Sequence, residues 1–175
     1  EDPEDAGFKQ SVAEVIARRL DEEKDIEQRR RNLILYRVPE EGSEKSEDRV
    51  RADKLFFTTL CCEALGVEIT DADLVKLFRL GQKVEGRERP LLVSLKDEEK
   101  KMEIMKNLAK LKTAEDRFKI TSIAPDLTPK QRSEKKKLLE EAKSKYVDDP
   151  EQENFRFLVV GQQSRMRVIR VKRRE

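Results

Sequence analysis

Apolar residues recur at helical spacing along the first thirty residues of the chain. Residues 8–31 contain no glycine or proline, and their apolar side chains are separated by charged ones, a pattern that predicts a helix. The spacing fits a heptad only loosely, because Arg19 and Glu22 fall where a coiled-coil seam needs apolar side chains. Two interpretations follow. The helix is the end of a longer coiled coil, which we favour, or it packs on the following domain.

A βαββαβ pattern occupies the middle of the chain. Short apolar runs, several of them bounded by Gly, Pro or charged turns, predict strands over residues 32–38, 75–80, 90–95 and 118–123. One predicted helix is capped by Ser46 and ends at Gly66, a residue suited to a left-handed cap. A second is capped by Asp97 and buries a face made of Met102, Met105, Leu108 and Ala109. This order is that of the ferredoxin-like fold.

The last fifty residues predict a helix followed by a β-hairpin. Thr128 is placed to cap the helix, with Pro129 at its first position and Gln131 closing a capping box. Apolar runs at 155–160 and 166–172 flank a short polar loop, as in a hairpin. The sequence therefore predicts an α+β protein with an N-terminal helix (1–31), a ferredoxin-like domain resembling an RNA-recognition motif (32–125) and a small basic α/β domain (126–175).

Charge is abundant but nearly balanced. Asp, Glu, Lys and Arg make up 43% of the chain and the net charge is +2, so the total alone does not indicate nucleic-acid binding. The distribution of the charge is more informative. Residues 1–5 are mainly acidic and residues 165–174 mainly basic, so positive charge is concentrated at the C-terminal end. No apolar stretch is typical of a membrane span or a secretory signal. Adjacent Cys61 and Cys62 exclude a disulfide framework and favour a reducing compartment.

Catalytic chemistry finds little support in the sequence. The chain has no histidine, which removes the commonest general base and most zinc sites. The segment from Gly81 to Gly86 has the glycine spacing of a phosphate loop, but Arg87 and Glu88 stand where Lys and Ser or Thr are needed. The acidic pair at residues 71 and 73 lacks the further oxygen ligands of a calcium loop. We therefore expect no enzyme activity, no cofactor and no metal.

Arginine and lysine residues are the candidate binding groups. In an RNA-recognition motif, bases stack on aromatic side chains of the first and third strands. Here the outward positions are Ile34, Pro90 and Leu92, with Tyr36 the one suitable ring. Weak stacking favours phosphate contacts with little sequence preference, made in a cleft between two domains. The candidate contacts are Tyr36, Arg37, Arg79, Arg89, Arg132, Arg165, Arg167, Arg170 and Lys172.

Four segments together resemble a known family. They are residues 30–40 (RRNLILYRVPE), 78–81 (FRLG), 89–95 (RPLLVSL) and 126–132 (DLTPKQR). In order and spacing they are similar to the first-open-reading-frame protein of LINE-type (non-LTR) retrotransposons, and the similarity extends from about Arg29 to Val171. Positions Arg79, Arg89 and Arg132 match basic positions of the family, and the basic hairpin strand matches its RNA-binding C-terminal segment.

The resemblance carries specific implications. It implies an N-terminal coiled coil that forms a homo-oligomer, commonly a trimer, and two further domains that clamp single-stranded RNA or DNA. Proteins of this family coat their transcript as a ribonucleoprotein in the cytoplasm or nucleus and act as nucleic-acid chaperones during transposition. The alternative, from a different class, is a protein–protein assembly module that uses the ferredoxin-like domain and helical oligomerisation, with its arginines only solvating the surface.

Overall fold

The computed structural model describes residues 3–161 and 165–173. The chain divides into two compact units. The first, here called the sheet unit, is Glu27–Asp126; the second, the hairpin unit, combines Glu1–Ile26 with Leu127–Glu175. The N-terminal helix and the C-terminal segment, which the sequence treats as separate, thus fall into one unit.

The molecule is an α+β protein, as predicted. Helix α1 spans Pro3–Arg29, somewhat longer at its start than the predicted 8–31. The remaining helices are α2 (Ser46–Thr59), α3 (Glu98–Asn107), α4 (Asp116–Lys119) and α5 (Pro129–Asp148). The strands are β1 (Asn32–Tyr36), β2 (Leu74–Arg79), β3 (Leu91–Leu95), β4 (Ser122–Pro125), β5 (Phe155–Val160) and β6 (Arg167–Lys172).

The sheet unit contains a four-stranded antiparallel sheet. Its strand order is β2-β3-β1-β4, so β1 and β3 are central. Along β1, Leu33 and Leu35 are fully buried while the residues between and beside them are not, as the period of two in a strand requires. Phe57 from α2 and Phe118 from α4 are buried in the same core, and each such side chain contributes about 1.5–3 kcal/mol by leaving water.

The helical segment that begins with α2 ends where the sequence indicates. After Thr59 it continues as a π-helical turn, Leu60–Leu65, which buries Cys61. Gly66 adopts a left-handed conformation (φ 69°) and caps this turn, which confirms the prediction. Ser46 is the first helical residue instead of the cap, which is Lys45 without a side-chain hydrogen bond.

The predicted fourth strand was wrong at its start. The alternating apolar residues 118–123 indicated a strand, but Phe118 lies in α4 and the strand begins only at Ser122. The reason is packing: the Phe118 ring meets the Phe56 ring edge-on, with centroids 5.6 Å apart, and is 1% exposed. This burial favours a helical turn over an extended segment.

The buried face of α3 matches the prediction only in part. Met105 and Leu108 pack against the core as predicted. The buried residues of α3 are Lys101 and Ile104, and Ala109 is exposed beyond its end. A lysine is buried here because its Nζ donates to the Arg30 carbonyl at 2.6 Å. Burial lowers the pKa of the Lys101 ammonium. Asp97 occupies the cap position but makes no side-chain capping bond.

In the hairpin unit, the predicted capping box is present. Thr128 accepts a hydrogen bond from the Gln131 amide at 3.2 Å, and the Gln131 side chain accepts from the Thr128 amide at 3.0 Å. The Thr128 hydroxyl donates to Glu22 of α1 at 2.7 Å. Strands β5 and β6 pair antiparallel as predicted, from Phe155 opposite Lys172 to Val160 opposite Arg167, and pack on α5.

Candidate nucleic-acid interface

The nine predicted contact residues fall into two sets. Tyr36, Arg37, Arg79 and Arg89 belong to the sheet unit, and the other five belong to the hairpin unit. Their surroundings differ strongly, because some of the guanidinium groups are held by internal partners and others are exposed. This difference decides which of them are available to a ligand.

Arg79 is an internal clamp. Its Nε donates to Asp53 Oδ2 at 3.0 Å and its Nη2 to Asp53 Oδ1 at 2.5 Å. Nη1 donates to the carbonyls of Val38 and Arg89 at 2.8 and 2.9 Å, and Nη2 also donates to the Pro39 carbonyl at 2.8 Å. All five N–H groups of a guanidinium are thereby used, and the side chain is 6% exposed. We therefore correct the prediction and remove Arg79 from the candidate phosphate contacts.

Arg89 is held by Glu40. Its Nη2 donates to Glu40 Oε2 at 3.0 Å, and its backbone amide donates to Oε1 at 2.6 Å. Burial alone would raise the pKa of the Glu40 carboxyl, but the hydrogen bonds from Arg89 outweigh it and the pKa is lowered. The pair fixes the β2–β3 loop to the segment after β1. Arg89 is therefore a structural residue first, although 23% of its side chain is exposed.

Tyr36 and Arg37 lie together at the end of β1. Tyr36 is 40% exposed, as a stacking residue must be. Arg37 has a left-handed backbone (φ 59°), which is uncommon for a residue other than glycine. Its Nε donates to the Ile120 carbonyl, and the residue is exposed. Of the four candidates in the sheet unit, these two are the ones presented to solvent.

A second exposed ring escaped the sequence analysis. Phe78 on β2 is the register partner of Leu92 and is 47% exposed, whereas Leu92 itself is 8% exposed. Ile34 and Pro90, the other two outward positions, are half-buried, and Ile34 pairs with Leu92. The exposure of Phe78 was predictable, because side chains alternate along a strand and its neighbours Leu77 and Arg79 face the core. The alternation is broken at the start of the strand by an irregularity between Leu74 and Lys76, and this concealed the pattern.

Arg170 is an anchor of the hairpin. It donates to both carboxylate oxygens of Asp149 at 2.7 and 2.9 Å and to Glu151 at 2.8 Å, and it lies 3.7 Å from the Phe155 ring centroid. These hydrogen bonds raise the pKa of Arg170, and the two to Asp149 lower the pKa of that carboxyl. The anchor joins β6 to the end of α5, so its first role is structural.

Four other cations of the hairpin are exposed. Arg165, Arg167 and Lys172, all predicted, have no ion pair with any residue in the described ranges, and neither does Arg156, which the sequence analysis missed. By register, Arg156 and Arg167 lie on one face and Lys172 on the other. Arg132 is also exposed, and its Nη1 donates to the Leu127 carbonyl at 2.8 Å. Alternation along β5 was the signal that would have found Arg156.

Positive charge is concentrated in this segment. Residues 127–175 contain 14 Lys and Arg against 8 Asp and Glu, whereas the whole chain has 39 against 37. The rest of the chain is therefore slightly acidic. Such an uneven distribution produces a positive potential on one part of a nearly neutral protein.

A metal site and a membrane-spanning helix are both absent from the part of the chain that the structure describes. Within residues 3–161 and 165–173, no cluster of three or more Cys, Asp or Glu side chains is arranged to hold a metal ion. In the same ranges, none of the helices combines the length and apolar character that crossing a bilayer demands.

Comparison with protein-family models and with curated protein sequences identifies no relative. No protein-family model matches the chain, and a search of curated protein sequences finds no match. Function is therefore inferred from the side chains described above and from the resemblance of the four sequence segments.

Proposed function

We propose that this protein binds single-stranded nucleic acid, RNA in the first place, and has no enzymatic activity. The observation that carries the proposal is the group of exposed hairpin cations, Arg156, Arg165, Arg167 and Lys172, in the most basic segment of the chain. Phosphate binding requires cations whose N–H groups remain available. Arg79 and Arg170 are engaged internally, so the proposed contacts move to the exposed set.

The sheet unit is proposed to be a ferredoxin-like domain of the RNA-recognition-motif type. The strand order β2-β3-β1-β4 supports this, because it places the first and third strands at the centre of an antiparallel sheet. A helix follows each of these two strands. Tyr36 supplies an exposed ring, which adds limited stacking to binding that is mainly electrostatic.

The resemblance to LINE-type first-open-reading-frame proteins extends the proposal. It suggests a ribonucleoprotein component that coats a transcript in the cytoplasm or nucleus and acts as a nucleic-acid chaperone in transposition. Single-stranded DNA is then a second ligand with the same phosphate chemistry. Recognition through phosphates predicts similar affinity for different sequences of equal length.

A salt series on binding tests this function. The probe is a fluorescein-labelled 20-nucleotide RNA of mixed sequence, with binding to the full chain followed by anisotropy. We expect the logarithm of the association constant to fall linearly with the logarithm of salt concentration, by about 0.7 per phosphate contact. The variant Arg156→Ala/Arg167→Ala should therefore reduce the slope by about 1.4, twice that per-contact value.

The control variant is Arg51→Ala. Arg51 lies on α2 in the sheet unit, with 79% of its side chain exposed, so the change removes an exposed arginine outside the proposed interface. It should leave the slope unchanged. Binding that does not respond to salt, or equal effects of the control and the double variant, would refute the proposed interface.

A second candidate function is assembly through α1. Val12, Ile16 and Leu20 recur every four residues and are 40, 53 and 52% exposed, and Val15 beside them is 62% exposed. Spacing by four residues puts them on one face of the helix, and an exposed apolar stripe is typical of a helix that pairs with another. A homo-oligomer, with a trimer as the form that the resemblance suggests, is therefore proposed.

Sedimentation of the full chain tests the assembly. The variant Val15→Glu/Ile16→Glu should lower the mass in solution to that of the monomer, while Arg19→Ala, at an exposed position of the same helix, should not. If the wild-type chain is already monomeric at high concentration, the assembly proposal fails and the binding proposal is unaffected.

A further inference from the structure

Strand β2 has one free edge. It lies at the end of the sheet, and among the described residues it pairs with β3 alone. The Leu80 amide donates to the Pro90 carbonyl at 2.8 Å, so even-numbered residues near this end direct their N–H and C=O groups towards β3. The alternation of an antiparallel pair then directs the groups of Leu77 and Arg79 away from it. Neither backbone amide donates to another residue in the described ranges outside this ladder.

A groove runs beside this edge, between β2 and α2. One cavity of about 210 Å³ is lined by Val50, Phe78 and six charged residues with Ser46, and a neighbouring cavity of about 390 Å³ shares Ser46 and Val50 with it. Val50 and Phe78 are 39 and 47% exposed, and Val75 on β2 is 58% exposed. Apolar side chains and free backbone groups therefore occur along the same edge.

The charge of the groove argues against a nucleic acid. The first cavity is lined by Glu40, Glu41 and Asp53 as well as by three arginines. Two of those arginines are already neutralised, Arg79 by Asp53 and Arg89 by Glu40. The third arginine, Arg49, balances the charge of Glu41, so the lining has no excess of positive charge to attract a phosphate chain. A ligand with little net charge fits better.

The edge also argues against a second copy of the sheet. The irregularity between Leu74 and Lys76 disrupts the start of the strand, and Lys76 is exposed. Both features are known to prevent long edge-to-edge pairing. The regular part that remains is short and offers the groups of only two residues, Leu77 and Arg79.

We propose that this groove binds a short extended peptide of a partner protein. The peptide adds to β2 as a strand, with its backbone bonded to Leu77 and Arg79 and its apolar side chains packed against Val50 and Phe78. Pairing of this kind obtains affinity from main-chain hydrogen bonds and specificity from the side chains. The opposite edge of the sheet is less suited, because β4 has four residues and ends at Pro125, which has no N–H group.

Selection from a phage-displayed library of random octapeptides tests the proposal on the full chain. We expect enrichment of apolar, low-charge sequences, and loss of their binding to the variant Val50→Glu/Phe78→Glu. The control Leu139→Glu, which changes a residue 44% exposed on α5 in the other unit, should bind them normally. Failure to enrich any peptide above the level captured by the groove variant would overturn the proposal.

Amide hydrogen exchange distinguishes strand addition from other binding. A synthetic copy of the most enriched peptide should slow exchange at the Leu77 and Arg79 amides and leave the β4 edge unchanged. Protection elsewhere without protection at these two amides would overturn the proposal. So would displacement of the peptide by the 20-nucleotide RNA with loss of the protection, or a mass that shows two copies paired through β2. None of these results bears on the hairpin cations.

Discussion

Arg79 and Asp53 form a two-point ion pair inside the protein, with Nε and Nη2 of the arginine bonded to the two carboxylate oxygens at 3.0 and 2.5 Å. The side chains are 6 and 8% exposed. The same guanidinium also bonds three backbone carbonyls. It therefore joins α2, β2 and the segment after β1. Arg79, predicted to contact a ligand, instead holds these three parts of the fold together.

Removal of either partner of this pair should destabilise the protein strongly. Asp53→Asn leaves a buried guanidinium without its counter-charge, so we expect a loss of about 3–5 kcal/mol in the free energy of unfolding, measured by urea denaturation. Arg79→Lys should also be costly, because a single ammonium cannot make two parallel bonds. The exposed pair Arg51–Asp48, at 4.0 Å, provides the control. Its loss through Arg51→Ala should cost less than about 1 kcal/mol, and equal effects would contradict this account.

The Glu40–Arg89 pair should make stability depend on pH in the acid range. Hydrogen bonds from Arg89 overcome the effect of burial and hold the pKa of Glu40 below its ordinary value of 4.5. A carboxyl with a lowered pKa stabilises the fold above its unfolded value, and this is lost as the pH falls through the folded value.

The expected result is a stability difference between wild type and Glu40→Gln that is constant well above pH 4.5 and shrinks below it. Urea denaturation at a series of pH values measures it. Glu47→Gln, at an exposed position on α2, should show no such trend. A difference that grows as the pH falls would contradict the predicted sign.

The two adjacent cysteines should differ in reactivity. Cys61 is fully buried, and burial, together with the neighbouring Cys62, raises its pKa to about 12, whereas Cys62 is exposed. Since the thiolate is the reactive form, a thiol-specific disulfide reagent at neutral pH should label one thiol in the native protein and two in urea. Cys62→Ser should abolish the native reaction and Cys61→Ser should preserve it; rapid labelling of both native thiols would show that Cys61 is accessible.

The capping box of α5 should contribute measurably to stability. Thr128→Ala removes the acceptor for the Gln131 amide and the donor to Glu22, and we expect a loss of about 1–2 kcal/mol in thermal or urea unfolding. Thr128→Ser keeps the hydroxyl and should retain most of the stability. Ser133→Ala, an exposed change one turn further along α5, is the control. An effect of Thr128→Ser as large as that of Thr128→Ala would assign the role to the methyl group.

Local chemistry explains which features were predictable from the sequence. Thr128, Pro129 and Gln131 are close in the chain, so their capping interaction needs no tertiary contact, and Gly66 supplied a left-handed cap for the same reason. The hairpin followed from two apolar runs joined by a short polar loop. The prediction of a strand over residues 118–123 failed at its start. The alternating pattern was outweighed there by the contact of Phe118 with Phe56, which lies far away in the sequence.

The sequence by itself determined the order of helices and strands apart from the short α4, the α+β class and the concentration of positive charge near the C-terminal end. These depend on propensity, periodicity and composition, which are local properties. Only the tertiary structure decided which arginines are available to a ligand, because Arg79, Arg89 and Arg170 each find their carboxylate across a chain separation of 26, 49 or 21 residues. The sequence does not distinguish an arginine that faces water from one that pairs with a buried carboxylate, because only folding brings the guanidinium and the carboxylate together.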